Sequence, residues 1–99
     1  MDQAISSSTV VSAVRDQVSC DVEGEAAILH LGRGAYFGLD PAGARIWQLL
    51  QAPRRVMEIR DALLEEYEVE PGRCEGDLLA LLHDLARHGL VDVGHEPAP

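Results

Sequence analysis

Histidine, cysteine and serine are the residues with which this chain could bind a metal ion or form a covalent intermediate. The sequence holds four histidines and two cysteines, at His30, His83, His88, His95, Cys20 and Cys74. His83 and His88 would lie about 140° apart around a helix, so they cannot share a metal ion as an i, i+4 pair can. The cysteines are far apart in sequence and form no CxxC pair, and we expect both to be reduced, buried thiols. The sequence therefore predicts no metal site and no cofactor.

Nucleophilic catalysis would require a serine or cysteine together with a histidine and an orienting acid, all held on a scaffold. Most of the serines lie at positions 6–8 and 12, in a segment of small and polar residues that we expect to be flexible. The Gly-Arg-Gly segment at residues 32–34 is too short to cradle a phosphate and precedes a predicted strand, so it predicts a hairpin turn. The sequence favours a binding module over an enzyme.

The balance of charge limits the partners of the chain. Seventeen acidic against eight basic residues give a net charge of −9, which would repel the phosphate backbone of a nucleic acid. The mean hydropathy is −0.04, and no uninterrupted apolar run approaches the length of about twenty residues that a membrane-spanning helix needs. The N-terminus lacks the basic and apolar regions of a secretory signal. We therefore predict a cytoplasmic protein that binds neither nucleic acid nor membrane.

A chain of 99 residues accommodates one domain. Its polar N-terminal segment and its proline-punctuated C-terminus cannot bury much apolar surface. We predict a flexible arm over residues 1–15, a folded domain over residues 16–93 and a flexible tail over residues 94–99.

Three short β-compatible runs separated by glycines follow the predicted arm, at residues 18–23, 26–31 and 35–39. Runs of this length with two- or three-residue glycine turns predict a three-stranded antiparallel meander. A fourth short strand is predicted at residues 90–93.

Between the meander and this last strand the apolar period becomes helical. Helices are predicted over residues 41–51, 56–67 and 75–87. Asp40, followed by a proline, is a typical cap for the first helix, and Gly89 is a typical stop for the third. The predicted fold class is α+β and winged helix-turn-helix-like, with a three-stranded antiparallel meander, a three-helix bundle and a short C-terminal strand.

The third predicted helix carries more apolar surface than a helix lying on a single core needs. Leu82 and Leu85 lie within about 40° of Leu78, and Leu81 lies about 60° to one side. The apolar arc is roughly 160° wide, against the roughly 100° that is typical. Two interpretations stay open: the helix is buried between the sheet and the other helices, or its Leu81 flank lines a groove that a partner fills.

Polar side chains border the Leu81 flank of this helix. Asp77, Asp84 and His88 lie within about 60° of Leu81, and they would form the rim of such a groove. The candidate partner-binding residues on this helix are therefore Asp77, Leu78, Leu81, Asp84, Leu85 and His88.

The third run of the meander is predicted to be an edge strand. It contains no lysine, proline or charged residue, so nothing in its composition protects the edge. Such an edge is either covered by the protein itself or available for the addition of a strand from a partner. We expect Phe37 and Leu39 to face the helices, and Tyr36 and Gly38 to face the other way. The candidate partner-binding residues on this strand are Ala35, Tyr36, Phe37, Gly38 and Leu39.

Several motifs taken together resemble the PqqD-like family. A strand and a glycine turn lead into Tyr-Phe-Gly-Leu-Asp at residues 36–40 and then into Gly-Ala-Arg-Ile-Trp-Gln-Leu-Leu at residues 43–50. The similarity continues through a Val-x-x-Ile-x-x-x-Leu helix at residues 56–63 and covers residues 18–93. The chain departs from the family pattern at Arg54-Arg55, where Gly and a Ser or Thr cap are common, and at Asp40, where Asn is commoner.

The resemblance implies a recognition element for ribosomally synthesized and post-translationally modified peptides (RiPPs). Such domains bind the leader segment of a precursor peptide as an additional antiparallel strand on the third strand of the meander. Apolar leader side chains then lie beside the third helix. The Tyr-x-Gly-Leu-Asp pattern is most similar to the stand-alone half of the split lasso-peptide B protein, which presents the precursor to a separate cysteine-protease-type leader peptidase.

Three alternatives to this interpretation remain. A PqqD-type peptide chaperone serving a radical-SAM maturase has the same family resemblance. A DNA-binding winged helix would have the same fold but the opposite charge. A dimerising subunit would bury the third strand against a second copy of itself.

Overall fold

The structure is a computed structural model that describes residues 5–34 and 36–94. The described residues form six strands and three helices. The strands are β1 (Val10–Ala13), β2 (Gln17–Val22), β3 (Glu25–His30), β4 (Tyr36–Leu39), β5 (Arg54–Arg55) and β6 (Val91–Gly94). The helices are α1 (Pro41–Leu49), α2 (Val56–Glu66) and α3 (Pro71–Arg87).

The predicted meander is present as an antiparallel sheet of order β2-β3-β4, here called the β4 sheet. Its register pairs Ile28 with Phe37 and Ala26 with Leu39, so that these side chains share the face turned to the helices. The turn between β2 and β3 has positive φ at Glu23 and at Gly24, which is typical of a two-residue hairpin.

A second antiparallel sheet has the order β5-β1-β6 and is here called the β1 sheet. Its central strand lies within residues 1–15, so the prediction of a flexible arm is wrong at Val10–Ala13. Val11 is fully buried in the core, and β1 pairs with β6 from the other end of the chain. A short valine run is stable as a strand because these distant partners cover it. Residues 1–4 lie outside the described part of the chain.

The C-terminal boundary also differs slightly from the prediction. Gly94, assigned to the tail, is the last residue of β6 and pairs with Val10. The rest of the predicted tail, residues 95–99 with His95, lies outside the described residues.

The helices begin where local capping signals place them, with one exception. The Asp40 carboxylate accepts a hydrogen bond of 2.8 Å from the backbone N–H of Gly43, and Pro41 is the first helical residue of α1. Helix α3 begins at Pro71 and not at residue 75. The prediction treated this proline as a break, whereas proline is well tolerated at the first helical position because its missing N–H has no intrahelical partner there.

The core lies between the β4 sheet, the helices and β1. Its fully buried large side chains include Ile28 of β3, Ile59 of α2, and Leu78, Leu82 and Leu85 of α3. This arrangement confirms the predicted α+β, winged helix-turn-helix-like class. None of the helices within the described ranges is long and apolar enough to cross a membrane.

Candidate functional site

Strand β4 has one free edge. It pairs with β3, and across residues 5–34 and 36–94 no strand pairs with its other side. Strand β1, which comes from the predicted arm, pairs with β5 and β6 and does not cover this edge. The strand alternates as expected, with Leu39 buried, Phe37 half-buried and Tyr36 71% exposed. The backbone groups on this side are therefore available to a partner strand.

A groove of about 700 Å³ lies between β4 and the three helices. Most of its walls are apolar. Strand β4 and the start of α1 contribute Phe37, Gly38, Leu39, Asp40, Ala42, Gly43 and Ile46. Helix α2, the segment after it and α3 contribute Leu63, Tyr67, Val69, Arg73, Cys74, Asp77, Leu78 and Leu81. We call this set of residues the groove.

Six of the predicted site residues line the groove: Phe37, Gly38, Leu39, Asp77, Leu78 and Leu81. They come from the two elements that the sequence singled out, β4 and the Leu81 flank of α3. Of the two interpretations of α3, the geometry therefore favours the one in which this flank lines a groove.

The other predicted site residues lie elsewhere. Tyr36 faces the outer side of the β4 sheet, and Leu85 is fully buried in the core. Asp84 forms an ion pair with Arg87 on its own helix. The His88 ring packs edge-to-face on Phe37 with the ring centroids 5.0 Å apart, which places it beside the groove's end at Phe37. Ala35 lies outside the described residues.

Sequence reasoning missed the walls that α1, α2 and the segment after α2 contribute. Ile46 and Leu63 occupy apolar positions of their helices. An apolar position on a helix does not distinguish a residue of the core from one that lines a groove. Tyr67 and Val69 are both more than two-fifths exposed, although each is a large apolar residue within an acidic run. Exposed apolar residues in such a run are the signal that could have identified this end of the groove.

Gly43 lets α1 begin close against β4. A Cβ atom at this position would lie 3.1 Å from Leu39 Cδ2 and 3.2 Å from Asp40 Oδ1, closer than side chains normally approach. The absence of a side chain, together with the Asp40 cap, therefore sets the joint between the edge strand and the first wall of the groove.

An ion pair ties α1 to α2 near the other end of the groove. Arg45 donates two hydrogen bonds of 2.7 Å to the two carboxylate oxygens of Glu66. The hydrogen bond from Arg45 holds the pKa of the Glu66 carboxyl below its ordinary value. The two residues flank groove-lining positions on their helices, so this bidentate contact links the two walls.

The groove itself offers little chemistry beyond apolar contact. Burial raises the pKa of the Cys74 thiol, and the charge of Asp77 acts in the same direction. The thiol is therefore protonated and behaves as a small apolar group. Arg73 and Asp77 stand at the mouth with 3.8 Å between guanidinium and carboxylate. Among the described residues, no three His, Cys, Asp or Glu side chains form a group that could hold a metal ion.

The outer face of the β4 sheet carries an exposed apolar row. Val18 pairs with Leu29, which pairs with Tyr36, so the three side chains lie side by side across the three strands. They are 55%, 41% and 71% exposed. We call Val18, Leu29 and Tyr36 the outer row. Cys20 is exposed because its strand position also faces outwards, which corrects the prediction that both cysteines are buried.

Comparison with known proteins places this geometry in a family. The profile described as coenzyme PQQ synthesis protein D (PqqD) matches residues 25–91. TbiB1, solved in complex with the TbiA(beta) leader peptide, is 40% identical to the chain with a TM-score of 0.77, and the match covers 87% of this chain and 99% of that one. No curated protein sequence matched the chain.

Two further solved structures share the fold at lower identity. A lasso peptide synthetase B1 complexed with the leader peptide is 24% identical, with a TM-score of 0.72 over 83% of this chain and 96% of that one. The PqqD truncation of Methylobacterium extorquens PqqCD, a stand-alone RiPP recognition element, is 24% identical with a TM-score of 0.74 over 90% of this chain and 95% of that one. The family profile matches well over half of the chain, and the 40% identical relative covers 87% of it. The chain therefore belongs to the PqqD family.

Proposed function

We propose that this chain is a non-catalytic adaptor in RiPP biosynthesis, of the kind that serves lasso peptides. It binds the leader region of a precursor peptide by strand addition to β4, with apolar leader side chains in the groove. The observation that carries the proposal is the unpaired, uncharged edge of β4 directly beside an apolar groove. The 40% identical TbiB1, whose structure contains a leader peptide, supports it. Since a ribosomally made precursor is encountered in the cytoplasm, we place the adaptor there.

The two parts of the site would do different work. Backbone hydrogen bonds to the β4 edge contribute about 0.5–1.5 kcal/mol each, and they form whatever the side chains of the leader are. Each apolar leader side chain buried in the groove contributes roughly 1.5–3 kcal/mol and supplies the specificity. After the cost of ordering the leader, these contributions correspond to a dissociation constant between about 1 μM and tens of nanomolar.

A pair of substitutions on α3 tests leader binding. Leu79 and Leu81 are both half-buried leucines two residues apart, and both pack against the core, but only Leu81 lines the groove. Leu81→Asp places a carboxylate where the leader's apolar side chain would lie, and we expect it to weaken binding of fluorescently labelled TbiA(beta) leader peptide by about 100-fold or more. Leu79→Asp is the matched control for the cost of an added charge on α3. Equal titration curves for the two variants would contradict the proposal.

The second part of the proposed function concerns the next protein in the process. We propose that the adaptor presents the bound leader to a separate cysteine-protease-type leader peptidase. The outer row supports a docking role, because three large apolar side chains stand exposed on one sheet face and such patches are typical of interaction sites. The face is continuous with β4, so a peptidase seated on it would also meet the added leader strand.

Substitution of the outer row separates docking from leader capture. Leu29→Asp should leave the affinity for the leader peptide within about twofold, because this side chain points away from the groove. It should slow cleavage of the adaptor-bound leader by a purified leader peptidase of a split lasso system by about tenfold. Ala80→Asp adds the same charge at an exposed position of α3, and the peptidase should cleave the leader bound to this variant as fast as the leader bound to the wild type. An unchanged cleavage rate for Leu29→Asp would remove the outer row from the docking surface.

A PqqD-type chaperone for a radical-SAM maturase remains the alternative within this class. It would use the same edge and groove for the leader, so it differs only in the enzyme that receives the peptide. Faster leader cleavage in the presence of the adaptor favours the peptidase.

A further inference from the structure

A second, shallower depression lies on the outer side of β4. It has a volume of about 370 Å³ and is lined by Glu25, Ala26, Ala27, Tyr36, Gly38, Leu39 and Asp40. It meets the groove at Gly38, Leu39 and Asp40, which line both, whereas Glu25, Ala26, Ala27 and Tyr36 line the depression alone. The Tyr36 ring lies 3.9 Å from the position that a Cβ atom on Gly38 would occupy.

A glycine at position 38 is not required by packing or by the backbone. A Cβ atom at Gly38 would meet only the Tyr36 ring, at an ordinary contact distance of 3.9 Å, and its φ is not positive. Gly38 therefore leaves an opening in a strand that would accept a larger side chain. The exposed ring of Tyr36 leans along the strand towards this opening.

The electrostatics of the depression favour a cation. Glu25 and Asp40 are the ionisable side chains among its described lining residues besides the Tyr36 phenol, and none of that lining is basic. One oxygen of Asp40 is committed to the backbone N–H of Gly43. The Glu25 carboxylate accepts no hydrogen bond from any described residue, which leaves it available to a ligand.

The register of an added strand determines which leader residue would occupy this depression. Directly paired residues of antiparallel strands point to the same face, so the leader residue opposite Gly38 points outwards. Its two neighbours, opposite Phe37 and Leu39, point into the groove. The outward residue is thus flanked on both sides by residues that enter the groove.

We propose that this depression is a subsite for one arginine or lysine of the leader, placed between two apolar residues that enter the groove. The aliphatic part of the side chain covers Gly38, the cation lies against the Tyr36 ring, and it reaches the Glu25 carboxylate. The recognised segment therefore reads apolar–basic–apolar. This proposal rests on strand addition to β4, the proposed function.

Single-position libraries of the TbiA(beta) leader peptide test the subsite. Each position is randomised in turn, displayed, and selected on the wild-type chain and on Glu25→Gln, since Glu25 lines the depression but not the groove. In the wild type we expect one position at which arginine and lysine are enriched about threefold over alanine, as for an exposed cation–π contact with an ion pair. Both immediate neighbours of that position should select apolar residues.

The Glu25→Gln variant distinguishes failure of the subsite from failure of leader binding. It should lose most of the basic preference and keep the apolar preference at the flanking positions. Apolar selection without a basic preference in the wild type, or a basic preference that Glu25→Gln leaves unchanged, would overturn the subsite and leave strand addition standing. Absence of any apolar selection would instead contradict the proposed function.

Discussion

The β1 sheet and the β4 sheet are both three-stranded and antiparallel, but their outer strands differ in length and charge. In the β1 sheet one outer strand, β5, is only two residues long and both are arginine, and the other, β6, carries Asp92. In the β4 sheet one outer strand, β2, is six residues long and carries Asp21, and the other, β4, is four residues long and carries no charge.

The difference follows from how strand edges behave in water. Short outer strands and charged residues prevent unwanted pairing, and the β1 sheet has both. Strand β4 is as long as β6 but carries no charge, and it lies beside the groove. We infer that the β1 sheet is a structural part of the domain, whereas β4 is kept open for a partner. Substitutions in the first should therefore affect folding, and substitutions around the second should affect binding.

The largest expected effect is on folding, from Val11→Asp in the centre of the β1 sheet. Val11 is fully buried, and an unpaired charge in such a position costs about 3–5 kcal/mol. This should lower the melting temperature, followed by circular dichroism, by about 15 °C or more. Tyr36→Asp is the matched change in β4, and because Tyr36 is exposed it should lower the melting temperature by less than about 4 °C. Equal losses would contradict the division between the sheets.

The next effect comes from adding one methyl group to a helix glycine. Gly43→Ala brings a Cβ within 3.3 Å of Leu39 and Asp40, so α1 must shift from β4. We expect leader peptide binding to weaken by several-fold and the free energy of unfolding to fall by about 1 kcal/mol. Gly76→Ala in α3 is the control, because a Cβ there meets nothing within 4 Å. It should raise the free energy of unfolding by up to about 1 kcal/mol and leave binding unchanged. If both changes raised the free energy of unfolding, a Cβ atom at position 43 would fit between α1 and β4, which would contradict the role given to Gly43.

A similar or smaller loss is expected at the Asp40 cap, which starts α1 directly after β4. Asp40→Ala removes the acceptor of the Gly43 N–H and should lower the free energy of unfolding by about 1 kcal/mol. Asp40→Asn keeps an acceptor and should cost only a few tenths of a kcal/mol. Urea denaturation of the three proteins measures both values. A loss as large for Asn as for Ala would show that the negative charge, and not the hydrogen bond, is what matters.

The smallest effect concerns the Arg45–Glu66 ion pair and depends on pH. Because the pKa of Glu66 is lowered in the folded chain, its ionised form stabilises the fold above the ordinary carboxyl pKa, and this contribution is lost as the pH falls through the folded pKa. Glu66→Gln should melt slightly below the wild type at neutral pH, and the gap should close at acidic pH. Glu65→Gln removes the same charge from an exposed neighbouring position. A gap that stays constant with pH would exclude the ion pair as its cause.

The parts of the fold that could be predicted from the sequence are those set by neighbouring residues. The glycine turns indicated the meander, and Asp40 with the following proline indicated the start of α1. The edge position of β4 followed from the order of the runs alone. Each of these features depends on contacts within a few residues or on pairing with the adjacent strand, and such contacts leave a local pattern.

The missed features depend on residues far apart in the chain. Strand β1 is stabilised by β6, about eighty residues later, so Val11 carries no local sign of its burial. The walls from Ile46 and Leu63 become part of the groove only when α1 and α2 cross β4 and α3. Leu85 and Asp84 were predicted from their angular positions around α3. These positions do not show how far the groove extends along the helix, and neither residue lines it.

Amide hydrogen–deuterium exchange of the full chain, with and without the TbiA(beta) leader peptide, tests strand addition most directly. Added backbone hydrogen bonds should slow exchange in β4, at residues 36–39, while the outer strand β6 of the β1 sheet keeps its rate. Slowed exchange in β6 with β4 unchanged, at saturating peptide, would contradict the account.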